Sequence, residues 1–160
     1  WIENYKGVRR RFDIKENYSN IIVVDDYAHH PTEVNATIDA AVSGWDKEII
    51  VVFQPHLFSR TRDFYKEFAE SLYKSNFILI TDIYPAREQP IKGINSKLII
   101  DELKKLGHKN TFYIKDLSKL NQILDEFDLD NHMVITMGAG DIWRYNENYN
   151  NHLNEKVSAQ

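Results

Sequence analysis

The chain has 160 residues, 42% hydrophobic and 28% charged, with a net charge of −4 and no cysteine, which is enough for one domain with a real core. The missing cysteine excludes disulfides, thiol nucleophiles and thiolate metal sites, and the charge balance offers no general attraction to nucleic acid or an anionic membrane. No apolar stretch approaches the ~20 residues of a membrane span and no signal peptide is visible, so a cytoplasmic protein is expected. Trp1 is not an initiator methionine, so the chain is expected to start inside a longer protein or to have been trimmed.

An early strand is expected from Arg9 to Lys15. The apolar run Ile21–Val24 then predicts a buried strand that ends abruptly in Asp25-Asp26-Tyr27-Ala28-His29-His30. Pro31 follows and suits a first helical turn, where its missing N–H would be unpaired anyway. Thr32 to Val42 carries Val34, Ile38 and Ala41 at helical spacing. Ile49–Phe53 reads as a strand, Thr61 to Tyr73 as a helix and Phe77–Thr81 as a strand. Pro85 to Gly93, with two prolines and mixed charges, reads as a surface loop. Ser96 to Leu106 predicts a helix, Thr111–Ile114 a strand, Leu117 to Phe127 a helix and Met133–Met137 a strand. A last, aromatic-rich helix is expected from Asp141 to about Asn151, with a polar tail after about Asn150 that frays. Strands alternating with helices of this length imply an α/β fold. The expected form is a Rossmann-like, doubly wound, mostly parallel sheet with helices on both faces.

In such a sheet ligands bind at the C-terminal ends of the strands. Four chemically rich segments follow apolar strands: Asp25–His30, Gln54–Arg62, Asp82–Glu88 and Gly138–Asp141. Two neighbouring carboxylates, Asp25 and Asp26, need a cation or hydrogen-bond donors to offset their repulsion. An arginine from the Arg9-Arg10-Arg11 run could supply one; strand alternation would send Arg10 to one face and Arg9 and Arg11 to the other. Arg60 and Arg62 lie near a helix start, where the dipole favours anions, so they gain most if an anion shares the site. They could equally be ordinary surface arginines. His29, His30 and His56 suit substrate binding, capping or packing better than a protein-only zinc site, and Mg²⁺ usually shares oxygen ligands with phosphates. Gly138-Ala139-Gly140-Asp141 could cradle a phosphate, but Asp141 would repel one and reads as a helix N-cap in a tight turn. No P-loop string Gly-x-x-x-x-Gly-Lys-Ser/Thr occurs, so a triphosphate cradle, if used, lies elsewhere.

Together these strings resemble the C-terminal domain of the Mur ligases. The matching segments are Gly7-Val8-Arg9-Arg10-Arg11-Phe12-Asp13, Asp25-Asp26-Tyr27-Ala28-His29-His30-Pro31-Thr32-Glu33, Gln54-Pro55-His56 with Ser59-Arg60-Thr61-Arg62, Pro90-Ile91-Lys92-Gly93 and Gly138-Ala139-Gly140-Asp141-Ile142. Within the family they are most similar to the members that join L-alanine to UDP-N-acetylmuramic acid. The resemblance implies a single C-terminal domain over 1–160. It also implies that the N-terminal UDP-sugar domain and the central domain, which binds ATP and Mg²⁺, are partners lying outside this chain. The implied reaction, in bacterial peptidoglycan synthesis, is phosphorylation of the sugar carboxylate by ATP, followed by attack of the alanine amine on the acyl phosphate.

By position the resemblance implies nucleotide contacts at Arg11 and Asp26 beside Tyr27, with Arg10 and Asp25 as the alternatives one residue away. It places His29, His56 and Arg60 at the amino acid and acyl phosphate, with Arg62 as a further substrate contact. Family members often carry arginine where this chain has Leu57, which leaves Arg60 with less help. Two alternatives remain: the related ligase that attaches a preformed tripeptide to the same sugar, and a non-catalytic nucleotide-binding module.

Overall fold

The structure, a computed structural model, describes residues 10–18, 20–127 and 131–158. Six strands are present: β1 (Asp13–Asn17), β2 (Ile21–Asp26), β3 (Glu48–Phe53), β4 (Phe77–Thr81), β5 (Thr111–Ile114) and β6 (His132–Met137). They form one sheet in the order β1-β2-β6-β3-β4-β5. All neighbours are parallel except β1, which pairs antiparallel with β2. Each expected internal strand is found within two residues of its expected bounds, the largest difference being β2, which runs on from Val24 through Asp25 and Asp26.

Alternating side chains send Val24, Val51, Phe53 and Ile135 to one face of the sheet and Val23, Ile50, Val52 and Val134 to the other. The first face is covered by α1 (Pro31–Gly44), α2 (Phe58–Leu72) and α3 (Lys97–Lys105), through residues such as Ile38, Phe68 and Leu103. The second is covered by α4 (Leu120–Asp125) and α5 (Ile142–Ser158), through Leu124, Ile142 and Tyr149. Both faces of the sheet are therefore dry, which is why the strands read as continuous apolar runs rather than alternating ones.

Four expectations are corrected. The early strand begins at Asp13 rather than Arg9, and residue 9 lies outside the described residues. Arg10 and Phe12 have φ of 59° and 44°, so Arg10 and Arg11 sit on a turn and strand alternation does not govern where they point. The C-terminal helix does not stop near residue 151; it continues to Ser158, with Leu153 buried against the second face. Asp141 does not cap this helix with its carboxylate. Gln54 Oε1 accepts from Ile142 N at 3.2 Å, and Gln54 Nε2 donates to Asp141 Oδ1 at 2.8 Å.

Among the described residues, no helix is long and apolar enough to cross a membrane.

Candidate active site

The parallel register puts Asp26 and Phe53 level with Met137, one on either side of it. The segments that follow these strands therefore start from one edge of the sheet. Isolated pairing of His56 with Tyr84 extends this edge to the segment after β4.

The two acids that end β2 are both met from within the protein. Asp25 Oδ2 accepts from Arg10 Nε at 2.9 Å, and Asp25 Oδ1 from Thr136 Oγ1 at 3.2 Å. Its side chain is only 2% exposed. Burial raises its pKa, and the Arg10 charge and the Thr136 hydroxyl pull the other way. Asn146 on α5 donates to that same hydroxyl at 3.0 Å and so fixes the Thr136 side chain from behind. Asp26 accepts from Phe12 N at 2.7 Å, Ala28 N at 2.7 Å and Thr37 Oγ1 at 3.1 Å. Three of the roughly four lone-pair positions of a carboxylate are thus filled.

The consequence is an organised arginine turn. Asp25 holds the Arg10 guanidinium, which also donates to Gly138 O at 2.8 Å and lies 5.0 Å from the Tyr27 ring centre. Asp26 holds the backbone of Phe12, the residue after Arg11. A cleft of about 440 Å³ opens beside this turn, lined by Arg10, Lys15, Asp25, Trp143 and Glu147. A second, of about 200 Å³, is lined by residues that include exposed Arg11, Asp26 and half-exposed Tyr27. Lys15 and Trp143 were not singled out from sequence. Only the fold sets β1 and α5 on either side of Asp25.

The three histidines have different tasks. His30 caps α1: its Nδ1 accepts from Thr32 N, and its ring packs edge-on against Phe64 at 5.1 Å. Glu33 completes a capping box by accepting from His30 N at 3.2 Å, and it also accepts from His29 N at 3.1 Å. His29 Nδ1 lies 2.9 Å from Tyr27 O. A carbonyl can only accept, so Nδ1 carries the proton and Nε2 of the neutral ring is left with its lone pair. Glu33 Oε2 lies 3.2 Å from the same Nδ1. His56 is reversed. Its Nδ1 faces Arg60 Nη1 at 3.4 Å, and because arginine only donates, Nδ1 is the acceptor and Nε2 carries the proton.

The rings of His29 and His56 lie 6.0 Å apart, and His56 stacks on Tyr84 at 5.8 Å. The four groups form one cluster: two imidazoles, an aromatic wall and the Arg60 cation. Among the described residues, Arg60 has no ion-paired carboxylate. Arg62 is not in the cluster; its guanidinium forks onto Asp63 at 2.7 and 3.1 Å, with the side chain 51% exposed. Gly140 must lack a side chain, because a Cβ there would overlap Gln54 and the Tyr84 ring.

Burial lowers the pKa of His56, the Arg60 charge lowers it further, as does His29 whenever that ring is protonated, and the Glu88 carboxylate pulls weakly the other way. The folded domain therefore keeps His56 neutral to a lower pH than a free imidazole. Arg60→Gln removes the disfavouring guanidinium charge, so the midpoint of His56 should move up. A proton NMR titration of the His56 ring checks this; a midpoint that falls or stays fixed means that Arg60 does not act on His56.

The Mur ligase, glutamate ligase domain model matches residues 10–140. The chain belongs to the Mur ligase family. It is 45% identical over 160 residues to the UDP-N-acetylmuramate–L-alanine ligase of Pelodictyon phaeoclathratiforme, covering 98% of this chain and 33% of that protein. The ligase of the same name from Geotalea uraniireducens is 43% identical over 143 residues, covering 89% and 31%. The crystal structure of the UDP-N-acetylmuramate–alanine ligase from Thermotoga maritima superposes with a TM-score of 0.77 at 28% identity, covering 99% of this chain and 32% of that one. This Mur ligase chain thus spans about a third of the length of the relatives it matches.

Proposed function

We propose that the chain is the C-terminal domain of an ATP-dependent ligase that joins L-alanine to UDP-N-acetylmuramic acid. The observation that carries this is the cluster of Arg60 with His29 and His56 in a chain so similar to ligases of that name. In the proposed reaction the sugar carboxylate attacks the terminal phosphorus of ATP, releasing ADP and giving an acyl phosphate. The alanine amine then adds to the acyl carbon, and the tetrahedral intermediate collapses with loss of phosphate.

Arg60 grips the alanine carboxylate through its planar fork. His29, with its Nε2 lone pair, takes the proton that the alanine ammonium must lose before it can attack. His56 Nε2–H donates to the developing negative oxygen or the departing phosphate. Arg10 and Arg11 face the nucleotide phosphates, and Asp25 and Asp26, with Tyr27, set the turn that presents them. Asp26 is also a candidate nucleotide contact, through the carboxylate lone-pair position that Phe12, Ala28 and Thr37 leave open.

Mg²⁺ does not fit the described residues. No group of three or more His, Asp or Glu side chains among the described residues is arranged to hold a metal, and the acids that end β2 are engaged. The triphosphate and its Mg²⁺ fall to the central domain, and the UDP-sugar to the N-terminal domain, of the longer protein. Such a ligase works in the cytoplasm of a bacterium, where its nucleotide-linked substrate is made. Positioning and charge neutralisation, rather than covalent catalysis, are what this domain contributes on closure.

The test has two arms. The 160-residue chain alone should melt cooperatively yet release no phosphate with ATP, UDP-N-acetylmuramic acid and L-alanine. The full-length protein should release phosphate only when all three are present. Turnover by the domain alone, or full-length turnover that needs a preformed peptide in place of alanine, overturns the reading.

A further inference from the structure

Helix α2 carries Arg60 in its first turn, yet its own sequence provides no cap. The residue before it, Leu57, has no side-chain acceptor, and the first turn contains no acid. Arg60 and Arg62 instead place positive charge at the positive end of the helix dipole. Leu57 also has φ 73° and ψ 135°, a conformation that is costly for a residue with a branched side chain and that persists only when its surroundings impose it. Both the unfilled N–H groups and the strained junction need partners from elsewhere.

The loop after β4 supplies them. Glu88 Oε2 accepts from Ser59 N at 3.0 Å, and Glu88 Oε1 accepts from the Ser59 hydroxyl. Tyr84 brackets His56 from both sides: Tyr84 N donates to Pro55 O at 2.8 Å, and Leu57 N donates to Tyr84 O at 3.0 Å. The Tyr84 ring lies against His56. Thr61 closes the turn by donating from both its N–H and its hydroxyl to Leu57 O. His56 and Arg60 therefore lie on either side of a strained junction, joined directly only by their long 3.4 Å contact. Their relative placement comes from the loop.

We propose that Glu88 is a positioning residue for amino-acid binding: by capping α2 from a separate loop, it sets the geometry of Arg60 and His56 toward the alanine carboxylate. Glu88 touches neither reacting atom. It acts through Ser59, neutralises the positive helix end and holds Leu57 in its left-handed turn. The inference rests on the ligase reading above.

The experiment is steady-state kinetics of the full-length ligase with each substrate varied in turn, for Glu88→Gln, Glu88→Ala, Ser59→Ala and the Glu88→Ala/Ser59→Ala double variant. Glu88→Ala should raise the KM for alanine about tenfold, in line with loss of a good cap. The KM values for ATP and the UDP-sugar should stay within about twofold. Glu88→Gln keeps one acceptor for Ser59 and should lie between wild type and Glu88→Ala, with an unchanged melting temperature. The double variant should be no worse than Glu88→Ala, because both substitutions break the same link. An alanine KM that is unchanged or lower in Glu88→Gln and Glu88→Ala overturns the proposal. So do equal rises for all three substrates, or multiplying effects in the double variant. Absence of alanine-dependent turnover in the wild-type protein is a different result: it overturns the ligase reading and this inference with it.

Discussion

Arg60→Lys in the full-length ligase should raise the KM for L-alanine by about 5- to 150-fold, equivalent to roughly 1–3 kcal/mol of lost binding. The reason is geometry rather than net charge. Lysine keeps the positive charge but loses the planar fork that meets a carboxylate with two parallel bonds. The neighbourhood offers little to compensate. Leu57 is apolar, and Arg62 is committed to Asp63 on the surface. Binding of the UDP-sugar should barely change, because this domain does not hold it in the proposed arrangement. Kinetics with alanine varied at saturating ATP give the answer. Unchanged alanine kinetics in a folded Arg60→Lys enzyme return Arg60 to an ordinary surface role and move the carboxylate site to another cation, such as exposed Arg87.

Arg10→Met should destabilise the 160-residue chain by about 3–5 kcal/mol at pH 7.5, because it leaves the buried Asp25 carboxylate without its cation. For a domain of this size that lowers the melting temperature by roughly 6–20 °C. The loss should depend on pH in a definite direction. Burial already raises the Asp25 pKa in the folded state, and the Arg10 charge is the first influence opposing it. Removing that charge raises the folded pKa further. A carboxyl whose folded pKa lies above its unfolded value contributes stability below the unfolded pKa and loses it as pH rises through the folded one. The penalty of Arg10→Met should therefore be smaller at pH 5 than at pH 7.5. Adding Asp25→Asn should recover much of the loss, since a neutral amide needs no counter-charge. Melting curves at the two pH values decide the matter. An equal loss at both, or no recovery in the double variant, means that Asp25 is not the group left stranded.

What could be read from the chain alone follows from local physics. Continuous apolar runs such as Ile49–Phe53, separated by segments with 3.6-residue periodicity, specify a buried parallel sheet, because only such a sheet needs both sides of its strands to be dry. The string from Asp25 to Glu33 placed acids, histidines and a helix start in one turn, and that turn is where α1 begins. The need of two adjacent carboxylates for compensation pointed to an arginine partner, and Arg10 meets Asp25.

Other assignments depended on distances that no local pattern encodes. Positive φ at Arg10 and Phe12 replaced the expected strand, so the register of the arginines came from tertiary hydrogen bonds to Asp25 and Asp26. Three histidines close in composition became a cap, an acceptor and a donor, because each ring nitrogen took its role from the partner it met. The cap of the Arg60 helix lies on Glu88, 29 residues from Ser59 in sequence. A helix end can be satisfied by any acceptor that the fold brings to it, and only the packing of β4 beside β3 brings this one.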